Sequence, residues 1–192
     1  HEPTPLECLK RGIDLVIFSG DKLLGGPQSG IIGGRADMVA KIKKEPFFRA
    51  VRCDKLILTT LQESIDQYLE TKADPTQSDV PVLTFLRAEI EALKIRAEKI
   101  IANLPGEHAE ISIENTTARP GGGTMPRSEI PSIAIKIVPR NQSVPKLARK
   151  LRNGDAAVVG YTTDDALFLD LRTIFPESDE LVTEALSATL IN

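Results

Sequence analysis

Apolar residues recur at helical spacing through two long stretches of the chain. In Asp54–Thr71, Leu56, Leu58, Leu61, Ile65 and Leu69 fall near one face. In Pro81–Leu104, Val82, Leu83, Leu86, Ile90, Leu93, Ala97, Ile100 and Leu104 keep the same period. Each stretch predicts an amphipathic helix. Residues 3–12 predict a short helix, with Thr4 as N-cap, Pro5 at the first helical position and Gly12 at its end. Residues 36–45 predict another, which stops before Pro46. Between these two helices lies the apolar run that ends at Phe18, read as a buried strand over residues 13–18. Ser29–Gly34 reads as a second short strand.

The texture changes after Leu104. Ala109–Asn115 and Ser132–Val138 alternate as strands do, and Val144–Arg152 predicts a short basic helix. Ala156–Tyr161 and Ala166–Leu171 read as strands joined by the turn Thr163-Asp164-Asp165, and Asp179–Leu190 as a closing helix. This is the pattern of an α+β unit, a small and mostly antiparallel sheet with helices on one side. Two parts are therefore expected. Residues 1–78 form the end of an α/β domain with a connecting helix, and residues 79–192 form a smaller α+β domain, with 73–78 as a polar linker. The first part has few strands for a domain, and the chain opens on His1-Glu2-Pro3-Thr4 without an initiator Met. Both features lead us to expect a fragment of a longer protein.

Composition narrows the function classes. The 192 residues are 41% hydrophobic and 27% charged, typical of a globular protein, and the formal net charge is −3. Such a balance supplies no global field for nucleic acid, so a nucleic-acid partner would need a local patch. Cys8 and Cys53 stand far apart and form no CxxC pair, which argues against a disulfide framework or a metal site and fits a reducing, cytoplasmic setting. No apolar run approaches the roughly 20 residues that span a bilayer.

The most informative local feature is Lys22, at the exit of the first strand in Ser19-Gly20-Asp21-Lys22-Leu23-Leu24-Gly25-Gly26-Pro27-Gln28-Ser29-Gly30. Gly25 to Gly30 has the spacing of a P-loop, but Ile31 stands where that motif needs Lys. Ser19-x-x-Lys22 matches S-x-x-K of the penicillin-recognising enzymes, yet neither S-D-N nor K-T-G occurs. The remaining chemical reading is an amine that condenses with the pyridoxal aldehyde. Glycines let the backbone approach such a cofactor, and Ser19 is placed to donate to its phosphate. Pattern alone favours a solvated loop charge over this reactive amine.

The whole segment Asp14–Gly34 resembles the lysine segment of the bacterial selenocysteine synthases, the L-seryl-tRNA(Sec) selenium transferases. Further stretches resemble that family in order. They are Glu2-Pro3-Thr4, the R-A-x-R-x-D-K segment within Phe48–Lys55, the glycine-rich Gly121–Pro126 with Ile130-Pro131-Ser132, Val158–Gly160 and Leu169–Thr173. The resemblance covers nearly the whole chain and corresponds to about the C-terminal half of the enzyme. It implies the aspartate-aminotransferase-like fold (fold type I), a large domain carrying the lysine followed by a small C-terminal domain.

It also implies pyridoxal 5'-phosphate as cofactor, with Lys22 as the Schiff-base lysine and Ser19 near the phosphate. The implied reaction turns seryl-tRNA(Sec) into selenocysteinyl-tRNA(Sec): the serine amine displaces Lys22, the Cα proton leaves, the β-hydroxyl is lost, and selenium from selenophosphate takes its place. Lys22, released beside Cα, is the natural group to move that proton. Arg49 and Arg52, three apart, would share one face of a helix, and forked guanidiniums suit a phosphate-type anion. By resemblance they would hold selenophosphate.

A cytoplasmic homo-oligomer is expected, with no membrane association and no metal. The rest of the cofactor site and the tRNA-reading region would lie upstream, so this piece alone is expected to be inactive. Lys146, Arg149, Lys150 and Arg152 are either a solvated face or a contact to tRNA phosphates. The roles of Arg172 and of Gly121–Gly123 stay open. Two other readings compete: a related pyridoxal-phosphate lyase acting on a small amino acid or amino sugar phosphate, and a non-catalytic interaction module.

Overall fold

The computed structural model describes residues 3–73, 80–121 and 128–191. By internal packing the chain divides into two compact units, residues 1–84 with 120–128, and residues 85–119 with 129–192.

The first unit opens with helix α1 (Pro5–Lys10). Thr4 and Glu7 cap it reciprocally: the Glu7 N–H donates to Thr4 Oγ1 at 3.2 Å and the Thr4 N–H to Glu7 Oε2 at 2.7 Å. Strands β1 (Leu15–Ser19) and β2 (Gly30–Gly34) pair antiparallel, from Leu15 opposite Gly34 to Ser19 opposite Gly30. The expected burial of β1 is not met. Ile17 is 73% exposed, because among the described residues this two-stranded ladder gives β1 a single strand neighbour. At the base of the hairpin Gly34 has φ +148°, and a Cβ there would collide with the Asp14 carbonyl, so only glycine closes the ladder at that point. Arg35 then ties the base down, with Nη1 on Asp14 at 2.9 Å and Nη2 on Asp37 at 3.0 Å.

Helices α2 (Ala36–Lys44), α3 (Pro46–Val51) and α4 (Lys55–Ala73) follow. Asp54 starts α4, its carboxylate accepting from the Ile57 N–H at 2.9 Å.

The stretch read as one helix over 81–104 is two, α5 (Pro81–Arg87) and α6 (Ile90–Ala102), with Glu89 extended between them. No Gly or Pro marks the break. Its cause is tertiary: Arg172 Nη1 donates to the Phe85 carbonyl at 2.7 Å, taking the acceptor that a continuous helix would offer to the Glu89 N–H.

The second unit is a four-stranded antiparallel sheet in the order β3 (Ala109–Ala118), β4 (Ile130–Pro139), β6 (Ala166–Asp170), β5 (Tyr161–Thr163). Helix α7 (Val144–Asn153) separates β4 from β5, and α8 (Asp179–Ile191) ends the fold. Alternation decides the faces. Ile133, Ile135 and Ile137 of β4, with Leu167 and Leu169 of β6, bury into one core with Leu93, Ala97 and Ile100 of α6, Leu147 and Leu151 of α7, and Val182, Leu186 and Leu190 of α8. The expected antiparallel sheet with helices on one side is thus observed.

The strand expected over Ala156–Tyr161 is not. Ala157 sits in the left-handed region at φ +47° and its N–H closes a turn onto the Gly154 carbonyl, so pairing begins only at Tyr161. Asp164 and Asp165, both at positive φ, make the two-residue turn between β5 and β6.

Candidate functional site

Lys22 lies in the loop that joins β1 to β2, and the loop is a built structure. The Gly20 N–H extends the ladder to the Ser29 carbonyl at 2.8 Å. The Gly26 N–H returns to the Gly20 carbonyl at 2.8 Å, and the Gly25 N–H closes a turn on the Lys22 carbonyl at 2.9 Å. Helix α4 braces the loop from within the same unit. Tyr68 Oη donates to the Leu23 carbonyl at 2.9 Å. Gly26 sits so near α4 that a Cβ on it would lie 3.3 Å from Leu61 Cδ1 and 3.4 Å from Ser64 Oγ, a close approach that favours glycine.

On this frame Lys22 presents its amine outward. Its side chain is 48% exposed, and Nζ lies 3.5 Å from Asp21 Oδ2. The arrangement combines a fixed backbone, an accessible primary amine and an adjacent carboxylate. A pyridoxal aldehyde fits such an amine, which condenses with carbonyl groups. Ser19, at the end of β1 opposite Gly30, is exposed beside the loop. Asp21 and Tyr68 are the two partners that sequence reasoning missed. Asp21 had a signal in its charge next to Lys22. Tyr68, 45 positions away, had none.

Arg49 and Arg52 are both exposed. Their expected common helical face is not formed, because α3 stops at Val51 and Arg52 is extended at φ −65°, ψ 141°. The chain must leave the helix there so that Asp54 can start α4. Neither guanidinium forms an ion pair among the described residues, so both forks are open to an anion.

Arg172 has a different task. It is 5% exposed, and its guanidinium donates to the carbonyls of Phe85 at 2.7 Å and Pro131 at 2.6 Å, while Nε has no partner. Asp170 anchors the same corner, accepting from Ser132 Oγ at 2.6 Å, the Arg172 N–H at 3.0 Å and Thr116 Oγ1 at 3.1 Å. Arg172 is a buried clamp on the backbone.

Of the glycine-rich stretch, Gly121 takes φ +70°, and Gly122 and Gly123 lie outside the described residues. Among the described residues no group of His, Cys, Asp and Glu side chains is arranged to hold a metal ion, and no helix is long and apolar enough to cross a membrane.

Comparison with known proteins places these features in a family. The D-glucosaminate-6-phosphate ammonia-lyase structure superposes with a TM-score of 0.61 over 95% of this chain and 45% of that one, at 20% identity. It shows a shared fold, as the sequence had led us to expect. Among curated relatives, the L-seryl-tRNA(Sec) selenium transferase of Carboxydothermus hydrogenoformans is 41% identical over 100% of this chain and 41% of its own length. The protein of that name from Aquifex aeolicus is 38% identical over 98% of this chain and 41% of its length, and that from Moorella thermoacetica 40% identical over 98% and 40%. The chain therefore spans about two fifths of the length of the relatives it matches. The family model described as L-seryl-tRNA selenium transferase matches residues 1–175, and the chain belongs to that family.

Proposed function

We propose that this chain carries the amine-bearing part of a pyridoxal-phosphate enzyme that converts seryl-tRNA(Sec) to selenocysteinyl-tRNA(Sec) with selenophosphate. The observation that supports it best is the presentation of Lys22, an accessible amine on a loop pinned at both its backbone and its flank, in a segment that belongs to the selenium transferase family. Residues 1–78 act as the end of the cofactor domain and residues 79–192 as the small domain.

When bound, pyridoxal phosphate supplies an electron sink for the charge left at the serine Cα after its proton departs. Lys22 holds the cofactor through its Nζ, and Ser19 donates to the phosphate. Once its amine is free, Lys22 takes the Cα proton and delivers a proton to the departing β-hydroxyl. Asp21 lies 3.5 Å from Nζ, within ion-pair distance of the lysine. Arg49 and Arg52 bind selenophosphate through their unpaired forks, whose planar donors match a tetrahedral oxyanion. The enzyme works as a homo-oligomer in the cytoplasm.

The test is borohydride reduction of the full-length protein in the presence of pyridoxal phosphate, followed by peptide mapping. A pyridoxyl group on Lys22 is expected. A label on another lysine, or none, overturns the assignment.

A further inference from the structure

Helix α7 is the most one-sided element of the second unit. Leu147 and Leu151 are buried at 0% and 2% exposure in the core. At 100° per residue, Lys146, Arg149 and Arg152 spread over the opposite arc of the helix, and Lys150 lies on its flank. Lys146, Arg149 and Arg152 are exposed and Lys150 is half-buried. Residues 140–154 contain five cations and no acid, in a chain whose net charge is −3. None of the four helix cations forms an ion pair or a side-chain hydrogen bond among the described residues, and Asp155, two residues past the helix, pairs with none of them.

Helix stability does not account for this face. Lys150 and Arg152 complement the negative C-terminal end of the helix dipole. Lys146, however, stands in the first turn, where a cation is disfavoured, and no acidic residue stands beside it there. Cations gathered on one helix repel one another, and an anionic partner relieves that repulsion.

We propose that this face of α7 docks on the phosphate backbone of the tRNA substrate, a reading that rests on the proposed function above. The chemistry matches: Lys and Arg at successive turns meet a linear run of phosphates, and release of condensed counterions drives the association. The helix carries no aromatic residue to stack on a base, so the contact adds affinity and orientation without reading sequence. The helix is fixed by Leu147 and Leu151, so the backbone that carries the cations is in place before the RNA arrives.

The test uses the full-length protein and fluorescently labelled tRNA(Sec) transcript, with anisotropy titrations across a series of salt concentrations. The triple variant Lys146→Gln, Arg149→Gln, Arg152→Gln should bind about tenfold or more weakly near 0.1 M salt, and its log–log salt slope should shrink by about 2 to 3. Arg149→Lys with Arg152→Lys should restore both, since phosphates accept point charges. Circular dichroism and melting should match the parent, because all three side chains are exposed. A parent-like affinity and slope in the folded triple variant overturns the docking surface and leaves the proposed function standing. Absence of tRNA binding by the parent protein overturns both. If the triple variant loses binding to phosphatidylglycerol vesicles but not to tRNA, the face serves an anionic membrane and the proposal fails.

Discussion

The hydroxyl of Tyr68 on helix α4 donates to the carbonyl of Leu23, the residue that follows Lys22, at 2.9 Å. A helix 45 positions downstream thereby holds the backbone beside Lys22. Tyr68→Phe leaves that carbonyl without this donor. The expected loss is about 1 kcal/mol, concentrated in the loop. Hydrogen exchange at the Gly25 amide, which closes on the Lys22 carbonyl, should quicken while the amides of α6 keep their protection. Equal exchange at Gly25 in both proteins would show that α4 does not brace the loop.

Lys22→Ala should separate chemistry from stability. The side chain is half exposed and it pairs with Asp21 at 3.5 Å, so the expected change in stability is within about 0.5 kcal/mol. Covalent capture of pyridoxal phosphate should vanish altogether. Absorbance of the bound cofactor together with urea unfolding reads both quantities on one sample.

Arg172→Met probes the clamp. The substitution strips donors from the carbonyls of Phe85 and Pro131, and a buried acceptor left unpaired costs about 1–3 kcal/mol. A total loss of roughly 3 kcal/mol is expected from denaturant unfolding of the second unit. Substrate affinity of the folded fraction should be unchanged. A fall in affinity without a fall in stability would place Arg172 in the binding machinery.

The Thr4–Glu7 capping box gives a pH dependence with a definite sign. The Thr4 backbone N–H and then its hydroxyl hold the Glu7 carboxyl below its ordinary value. A carboxyl depressed in the folded state stabilises fully above the unfolded value and loses that contribution as pH falls through the folded one. Helix α1 should therefore fray on acidification, seen as faster exchange of the Cys8 amide, which bonds to the Thr4 carbonyl. Glu7→Gln should fray less steeply with pH. Identical acid profiles for both proteins would remove Glu7 as the cause.

Much of this architecture could be read before any coordinates. Ile133, Ile135 and Ile137 announce a strand with one buried face because alternation has a single physical solution. Thr4-Pro5 announces a helix start because capping is local. Lys22 was legible as a loop lysine from its glycines, and its meaning came from resemblance along the whole segment. The failures share a cause. The break between α5 and α6 is made by Arg172, 87 positions from Phe85, and the loop is braced by Tyr68. The false strand before Tyr161 hinges on Ala157, which adopts a conformation that alanine seldom takes. Each depends on a partner or a strain that no local window contains. Arg52 shows the milder form of the same limit: three-residue spacing suggested a shared face, but the need for Asp54 to start the next helix ended the first one early.

Arg96 has a consequence for how the second unit assembles. From α6 it grips Asp179 at the start of α8 through two bonds, at 2.7 and 2.9 Å, and also takes the carbonyls of Leu171 and Ile174. The two helices it joins lie at opposite ends of the unit's sequence. Until residues 179–191 emerge from the ribosome, Leu93, Ala97 and Ile100 lack the side chains of Val182, Leu186 and Leu190 that share their core. Closure between such distant segments is slow by nature. The nascent unit therefore keeps an open apolar flank until α8 is available.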